Sequence, residues 1–279
     1  MTRSRGVAAL VVALVVVLVA GCADSSPDGT PPTTGDAETC MPARPATLDV
    51  EVVRTLEHDP DAYTQGLLVH DGRVYEGTGR VGESTLREID PDDGRELDRV
   101  ELPEQVFGEG VAVAGDELVQ LTWTDGVAYR WSLPELEPLG EHTYSGEGWG
   151  LTTLADGTLV MSDGSDVLAV RDPDDFEVLE RRRVLRQDGP ADQLNELEFD
   201  GESLWANRYR SDELLRIDPG CATVTGVADL SALRADATEQ ADGERIDVTN
   251  GVAHLPGTDR FLLTGKWWPT MYEVRLREG

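Results

Sequence analysis

Lysine is nearly missing from this chain. Of 24 basic residues, Lys266 alone is lysine and the rest are arginine. It sits beside Trp267 and Trp268 in the stretch Phe261-Leu-Leu-Thr-Gly-Lys-Trp-Trp-Pro269. An ammonium is a compact point charge and a guanidinium a flat fork, so the two do not substitute for each other at a tight site. An arginine-biased composition would also leave a single lysine by chance, so the remaining repeats must decide. Metal-ligand spacing is missing too. There is no Cys-x-x-Cys and no His-Glu-x-x-His, and the four histidines (His58, His70, His142, His254) are scattered. No Gly-x-Ser-x-Gly marks a serine hydrolase. The formal net charge of −30 makes nucleic acid a poor partner. The acid is spread along the chain, which suits a solvated exported surface.

Long apolar runs are confined to the start. Arg3 and Arg5 precede an apolar run from Val7 to Ala20, ending Leu18-Val-Ala-Gly-Cys22. Residues 1–22 are expected to be a secretory signal rather than a spanning helix. Val-Ala-Gly-Cys resembles a bacterial lipobox, in which Cys22 takes a lipid. Residues 23–47, rich in Ser, Pro, Thr, Gly and Asp, read as a flexible tether. Residues 48–279 are the folded domain, expected outside the cytoplasmic membrane on a lipid anchor. Cys40 and Cys221 remain. In an oxidising compartment they either pair as a disulfide or stay as thiols, and spacing does not choose.

From Leu48 onward short strands alternate with turn signals, and five segments share a plan. Their openings are Gln65-Gly-Leu, Glu109-Gly-Val, Trp149-Gly-Leu, Asn195-Glu-Leu and Asn250-Gly-Val. Gly66, Gly110, Gly150, Glu196 and Gly251 are spaced by 44, 40, 46 and 55 residues. A period near 40–45 with three or four strands per unit predicts an all-β, five-bladed β-propeller. The fifth unit lacks an outer strand, which Leu48–Leu56 can supply, closing the ring and removing the open edge. The long fourth spacing holds Asp229-Leu-Ser-Ala-Leu-Arg and onward to Gly243, whose composition predicts one short helical insertion. A β-sandwich is the alternative, but sandwiches do not repeat at this period.

In a propeller the first strand of each blade lines the channel. Gln65, Glu109, Trp149, Asn195 and Asn250 should therefore converge at one mouth, with Trp123, Asn207 and Lys266 arriving from second-strand ends. Asn and Gly also favour turns, which accounts for several of these openings without a site. It does not account for Gln65 or Glu109.

The ordered motifs Tyr63-Thr-Gln-Gly-Leu67, Gly82-Glu-Ser84, Phe107-Gly-Glu-Gly-Val111, Leu121-Thr-Trp123, Glu147-Gly-Trp-Gly-Leu151, Ser162-Asp-Gly164, Leu194-Asn-Glu-Leu-Glu198, Trp205-Ala-Asn207, Asn250-Gly251 and Thr264-Gly-Lys-Trp-Trp-Pro269 carry a resemblance. From about Val52 to Leu276 the chain resembles the plant and bacterial type of glutaminyl-peptide cyclotransferase, a five-bladed propeller unrelated to the zinc-dependent animal enzyme. The resemblance implies conversion of a peptide's N-terminal Gln to pyroglutamate with release of ammonia. It implies Glu109 as the acid–base group, with Gln65, Asn195 and Lys266 as polar partners. The aromatic walls would be Trp123, Trp149, Tyr63, Phe107 and Tyr209, with Trp205 either in the wall or packed within its blade. Two positions depart from the family: Tyr209 stands where Trp is typical, and Tyr63 where Phe is typical.

The residue types fit this chemistry independently. A neutral α-amine must attack the γ-amide carbon, and the departing nitrogen must gain a proton. One carboxylate can do both, and Lys266, Gln65 or Asn195 can stabilise the oxyanion. No metal or organic cofactor is required, and a structural calcium is compatible with the fold. The expected partners are peptides or proteins with N-terminal Gln, and a closed ring is a monomer by default. Two rivals stay open. One is an anchored non-enzymatic propeller that binds peptide or sugar in the aromatic mouth. The other is a lactonase-like hydrolase holding a metal on Glu109, Asn195 and Asn250.

Overall fold

The computed structural model describes residues 40–279. The expected signal, Cys22 and the tether up to residue 39 lie outside the described residues. In chain order the strands are β1 (Ala46–Glu57), β2 (Thr64–His70), β3 (Arg73–Thr78), β4 (Thr85–Ile89), β5 (Glu96–Glu101), β6 (Gly108–Ala114), β7 (Glu117–Thr122), β8 (Val127–Ser132), β9 (Pro138–Thr143), β10 (Leu151–Thr153), β11 (Leu159–Met161), β12 (Val167–Arg171) and β13 (Val178–Arg183). They continue with β14 (Leu185–Arg186), β15 (Gly189–Pro190), β16 (Leu194–Phe199), β17 (Leu204–Arg208), β18 (Glu213–Asp218), β19 (Thr223–Asp229), helix α1 (Ser231–Gln240), β20 (Thr249–His254), β21 (Arg260–Gly265) and β22 (Thr270–Glu278).

Three antiparallel sheets follow chain order: β2-β3-β4-β5, β6-β7-β8-β9 and β10-β11-β12-β13. A ten-stranded sheet holds the rest. Within it, β16-β17-β18-β19 and β20-β21-β22-β1 are each four strands, joined where Ala46–Leu48 runs parallel to Gly226–Ala228. β1 pairs antiparallel with β22 from Leu48↔Glu278 to Glu57↔Thr270. The first strand of the domain thus completes the last sheet, as the missing outer strand predicted. β1 begins at Ala46, two residues before the expected Leu48.

The inner strands touch in a closed cycle: β2 on β6, β6 on β10, β10 on β16, β16 on β20 and β20 on β2. A separate apolar cluster fills each interface. Leu68, Leu86 and Trp131 lie between the first two sheets. Leu121, Leu151 and Phe176 lie between the second and third, and Val170, Leu197 and Leu215 between the third and the next four strands. Trp205, Val252 and Phe261 follow, and Leu67, Ile89 and Met271 close the cycle. The fold is all-β and propeller-like with one short helix.

α1 is built from helix-forming Ala, Leu, Arg, Glu and Gln. It buries Leu233 and Ala237, and Tyr272 donates its hydroxyl to Asp236 at 2.6 Å. Thr270 bonds Gln240 at the helix end. The helix therefore braces the segment that follows β21. A disulfide joins Cys40 to Cys221, with Cα atoms 5.1 Å apart, pinning the start of the domain to the turn after β18.

Candidate active site

Four of the five inner strands slip register where the repeat places its polar residue. The irregularities fall between Thr64 and Gly66, Gly108 and Val111, Leu194 and Leu197, and Thr249 and Val252. A bulge frees a residue from the ladder and re-aims its side chain. Here the freed residues are Gln65, Glu109, Asn195 and Asn250. Gly66 and Gly110 allow the strands to close around the axis: a Cβ on either would come within 2.6 Å of the next strand's backbone. The fourth repeat carries Glu196 instead. Its carboxylate accepts hydrogen bonds from Leu67 N at 3.2 Å and Val252 N at 2.9 Å, bridging two inner strands. Burial pushes Glu196 well above the usual carboxylate range.

These side chains form one chain of hydrogen bonds. Asn195 donates Nδ2 to Asn250 Oδ1 at 2.8 Å. Asn250 donates Nδ2 to Thr64 O at 3.0 Å and to Gln65 Oε1 at 3.3 Å. Gln65 donates Nε2 to Glu109 Oε1 at 3.0 Å. Each amide is thereby fixed in orientation, and the chain ends on the carboxylate. Glu109 is 4 % exposed, and its Oε2 is buried with no partner. Burial pushes it well above the ordinary carboxylate range, against the opposing pull of Lys266 and with a smaller push from Glu147.

Lys266 follows β21. Its backbone is held by Lys266 N to Val248 O at 3.0 Å and Asp247 N to Lys266 O at 2.8 Å. Trp267, at φ 61°, donates N to Ala62 O at 2.7 Å. Trp268 is buried against Gly265, where a Cβ would strike the indole. The Lys266 ammonium is 4.7 Å from the Tyr63 ring and 5.4 Å from the Tyr209 ring. Burial brings its pKa down to about 8, while Glu109 and Asp247 oppose the shift.

Glu109 and Lys266 lie in a cavity of about 330 Å³, whose aromatic wall is Tyr63, Phe107, Trp123, Trp149 and Tyr209. Neighbouring rings meet edge to face: Tyr63 on Phe107, Phe107 on Trp123, and Trp149 on Tyr209. Gln65 and Asn195 also line the cavity. Nine of the ten residues expected at the site thus meet in one place. The tenth, Trp205, does not. It packs 5.0 Å from Phe261 in the core and donates Nε1 to Asp200 at 2.7 Å. Asn207 is buried and accepts Gly251 N at 3.0 Å, a positioning contact behind the cavity.

Three features escape sequence reading. Glu147 accepts both indole N–H groups, Trp123 at 2.7 Å and Trp149 at 2.9 Å, and so holds the two walls. Arg210 lines the cavity at φ 57°. His58 is buried between Trp268 O at 2.6 Å and Glu76 Oε1 at 3.0 Å. Both partners are acceptors, so both ring nitrogens donate and the ring is an imidazolium. Burial alone would lower its pKa; the Glu76 charge and hydrogen bond overcome this and raise it. Glu76 also accepts the Thr64 hydroxyl at 2.7 Å. The pair thus ties the Lys266 segment to the strand that carries Gln65. Among the described residues, no three His, Cys, Asp or Glu side chains converge in a metal-holding group.

Fold and cavity together define a propeller-like protein with a buried acid and a buried base inside an aromatic wall at the axis. The sequence model of the family described as Glutamine cyclotransferase matches residues 20–276. A glutaminyl-peptide cyclotransferase of Arabidopsis thaliana is 35% identical over 237 residues, covering 83% of this chain and 72% of that relative. The crystal structure of Myxococcus xanthus glutaminyl cyclase is 37% identical, with TM-score 0.78, and the match covers 84% of this chain and 99% of that one. This chain belongs to the glutamine cyclotransferase family.

Proposed function

We propose that this protein is a glutaminyl-peptide cyclotransferase that converts the N-terminal Gln of a peptide to pyroglutamate and releases ammonia. The observation that carries the mechanism is the hydrogen-bonded run Asn195–Asn250–Gln65–Glu109, which ends on a buried carboxylate with one free oxygen beside Lys266. The neutral α-amine of the substrate attacks the γ-amide carbon, forming the ring C–N bond. Glu109 takes the proton released by the attacking nitrogen and delivers it to the amide nitrogen. The C–N bond to that nitrogen then breaks, and ammonia leaves with no net change at Glu109. The raised affinity of Glu109 for a proton suits it to hold that proton between the two transfers.

Lys266, with the amides of Gln65 and Asn195, supplies donors for the oxyanion of the tetrahedral intermediate. Nucleophile and electrophile belong to one residue, so Tyr63, Phe107, Trp123, Trp149 and Tyr209 act by folding that residue into the attack geometry. The side chains supply all the chemistry, and no cofactor enters this reading. The closed cycle of inner strands with five interface clusters supports a five-bladed propeller. The apolar run before Cys22 supports a lipid anchor on the outer face of the cytoplasmic membrane. Incubation with a short Gln-initiated peptide tests the activity. One ammonia released per peptide, with a blocked N-terminus, is expected. A bound but unchanged peptide would favour a receptor instead.

A further inference from the structure

Among the described residues, arginines are almost all ion-paired. Arg44, Arg171, Arg181 and Arg210 are the four that are not. Arg210 belongs to the cavity around Glu109. Arg171 and Arg181 meet elsewhere, in a cavity of about 360 Å³ between the second and third sheets.

The register of β12 and β13 places them together. Ala169 pairs with Arg181, Val167 with Arg183, and Arg171 with Val178 across a bulge. Side chains alternate along a strand, so Arg171, Arg181 and Arg183 share one face. Arg183 is neutralised by Asp166 at 3.1 Å. Arg182, on the other face, bonds Glu180 at 2.8 Å and Pro219 O at 2.9 Å. Of these arginines, only Arg171 and Arg181 reach the cavity without an ion-pair partner.

Arg171 is 4 % exposed. It donates Nη1 to Phe176 O at 2.7 Å, and its guanidinium lies 4.6 Å from the Phe176 ring and 5.4 Å from the Tyr144 ring. Its Nε is buried with no acceptor. A guanidinium does not discharge in a protein, and a buried charge without a counter-charge is strongly unfavourable. The chain carries 54 acidic residues, yet the one carboxylate at this cavity, Glu177, acts on Arg171 only from beyond ion-pair distance and pairs with neither arginine. The aromatic rings hold the Arg171 fork in place. Thr143 and Ser145 border the same cavity and add hydroxyl-bearing side chains.

We propose that this cavity binds a small inorganic oxyanion, phosphate or sulfate, with Arg171 and Arg181 as its charged donors. A planar fork of N–H groups matches two oxygens of such an anion, and the anion supplies the ion-pair partner that Arg171 lacks.

The test is calorimetric titration of the full folded chain with inorganic phosphate at constant ionic strength, with chloride as the balancing salt. One saturable site is expected, with sulfate competing for it. Arg181→Gln should weaken phosphate binding by about tenfold or more, the loss of a charge-assisted contact. Arg181 is exposed, so this variant is read even if Arg171→Gln fails to fold. Lys266→Met should leave phosphate binding unchanged. No saturable binding, or equal binding by Arg181→Gln, overturns the proposal. So does loss of binding in Lys266→Met, which would place the anion in the cavity around Glu109.

Discussion

Gln65 donates its amide N–H to Oε1 of Glu109 at 3.0 Å, leaving Oε2 as the buried oxygen without a partner. One oxygen is fixed by the protein, and in the proposed mechanism the other is left for the substrate. The arrangement is unfavourable for the fold, because the carboxylate is charged only against its burial. Glu109 has a raised folded pKa, so the folded state binds its proton more tightly than the unfolded state does. The destabilisation is absent below the unfolded carboxylate range, grows as pH rises from there toward the folded pKa, and levels off above it. Glu109→Gln keeps an acceptor for Gln65 and removes the charge. Its Tm should match wild type near about pH 4 and exceed it increasingly toward about pH 8. A constant Tm gap across that range would show that the charge is not the cause.

Lys266 is expected to set the alkaline limit of turnover. Its ammonium is lost as pH rises past about 8, and with it the cationic donor to the oxyanion. In Lys266→Arg the cation persists to far higher pH, so the falling limb of kcat should disappear even though the fork fits less well and the rate is lower. Lys266→Met should lower kcat by about 10²–10³-fold. An unchanged alkaline limb in the arginine variant would remove Lys266 from this role.

Glu147 should govern binding more than chemistry. Its one oxygen, Oε2, holds both Trp123 and Trp149. Glu147→Ala frees two indole walls, and KM should rise about tenfold with a smaller change in kcat. Glu147→Gln retains an acceptor oxygen and should recover much of the loss. Equal losses in kcat and kcat/KM would assign Glu147 to the transition state instead.

The His58–Glu76 pair predicts a stability effect at a distance from the chemistry. Both groups are buried, and each is the other's counter-charge. Glu76→Gln removes the charge that keeps the buried His58 ring protonated, and should cost about 3–5 kcal/mol in unfolding free energy. Chemical denaturation measures this directly, and a loss near zero would contradict the buried ion pair.

Trp205 offers a contrast. It packs on Phe261 away from the cavity, so Trp205→Ala should lose about 3–5 kcal/mol of stability while KM stays at its wild-type value. A raised KM in the folded variant would return Trp205 to the aromatic wall.

The sequence made the ring of inner-strand residues legible because the repeat imposes equivalent positions on Gln65, Glu109, Trp149, Asn195 and Asn250. It made the strand exchange legible because the fifth unit ended one strand short. The sequence leaves Trp205 between the wall and its blade, and distance decides for the blade. It shares a strand face with Asn207, but Tyr209 lies four residues further along and is the residue at the cavity. Four strand residues span about 13 Å. Motif neighbourhood hid that separation. Glu147 was visible as part of Glu147-Gly-Trp-Gly, but its grip on Trp123 crosses two loops. His58 and Glu76 stand in no periodic relation, and only the fold brings them together. Arg210 corresponds to Arg80 of the first repeat, one residue past the same backbone contact, but only Arg210 lines this cavity.

The most direct test of the central claim is single-turnover conversion of a Gln-initiated peptide by wild type and Glu109→Gln, with ammonia and the blocked peptide quantified together and folding checked by Tm. The proton-shuttle account predicts one ammonia per peptide for wild type, and a rate about 10²–10⁴-fold lower for the folded variant. A folded Glu109→Gln protein that cyclises at the wild-type rate would contradict it.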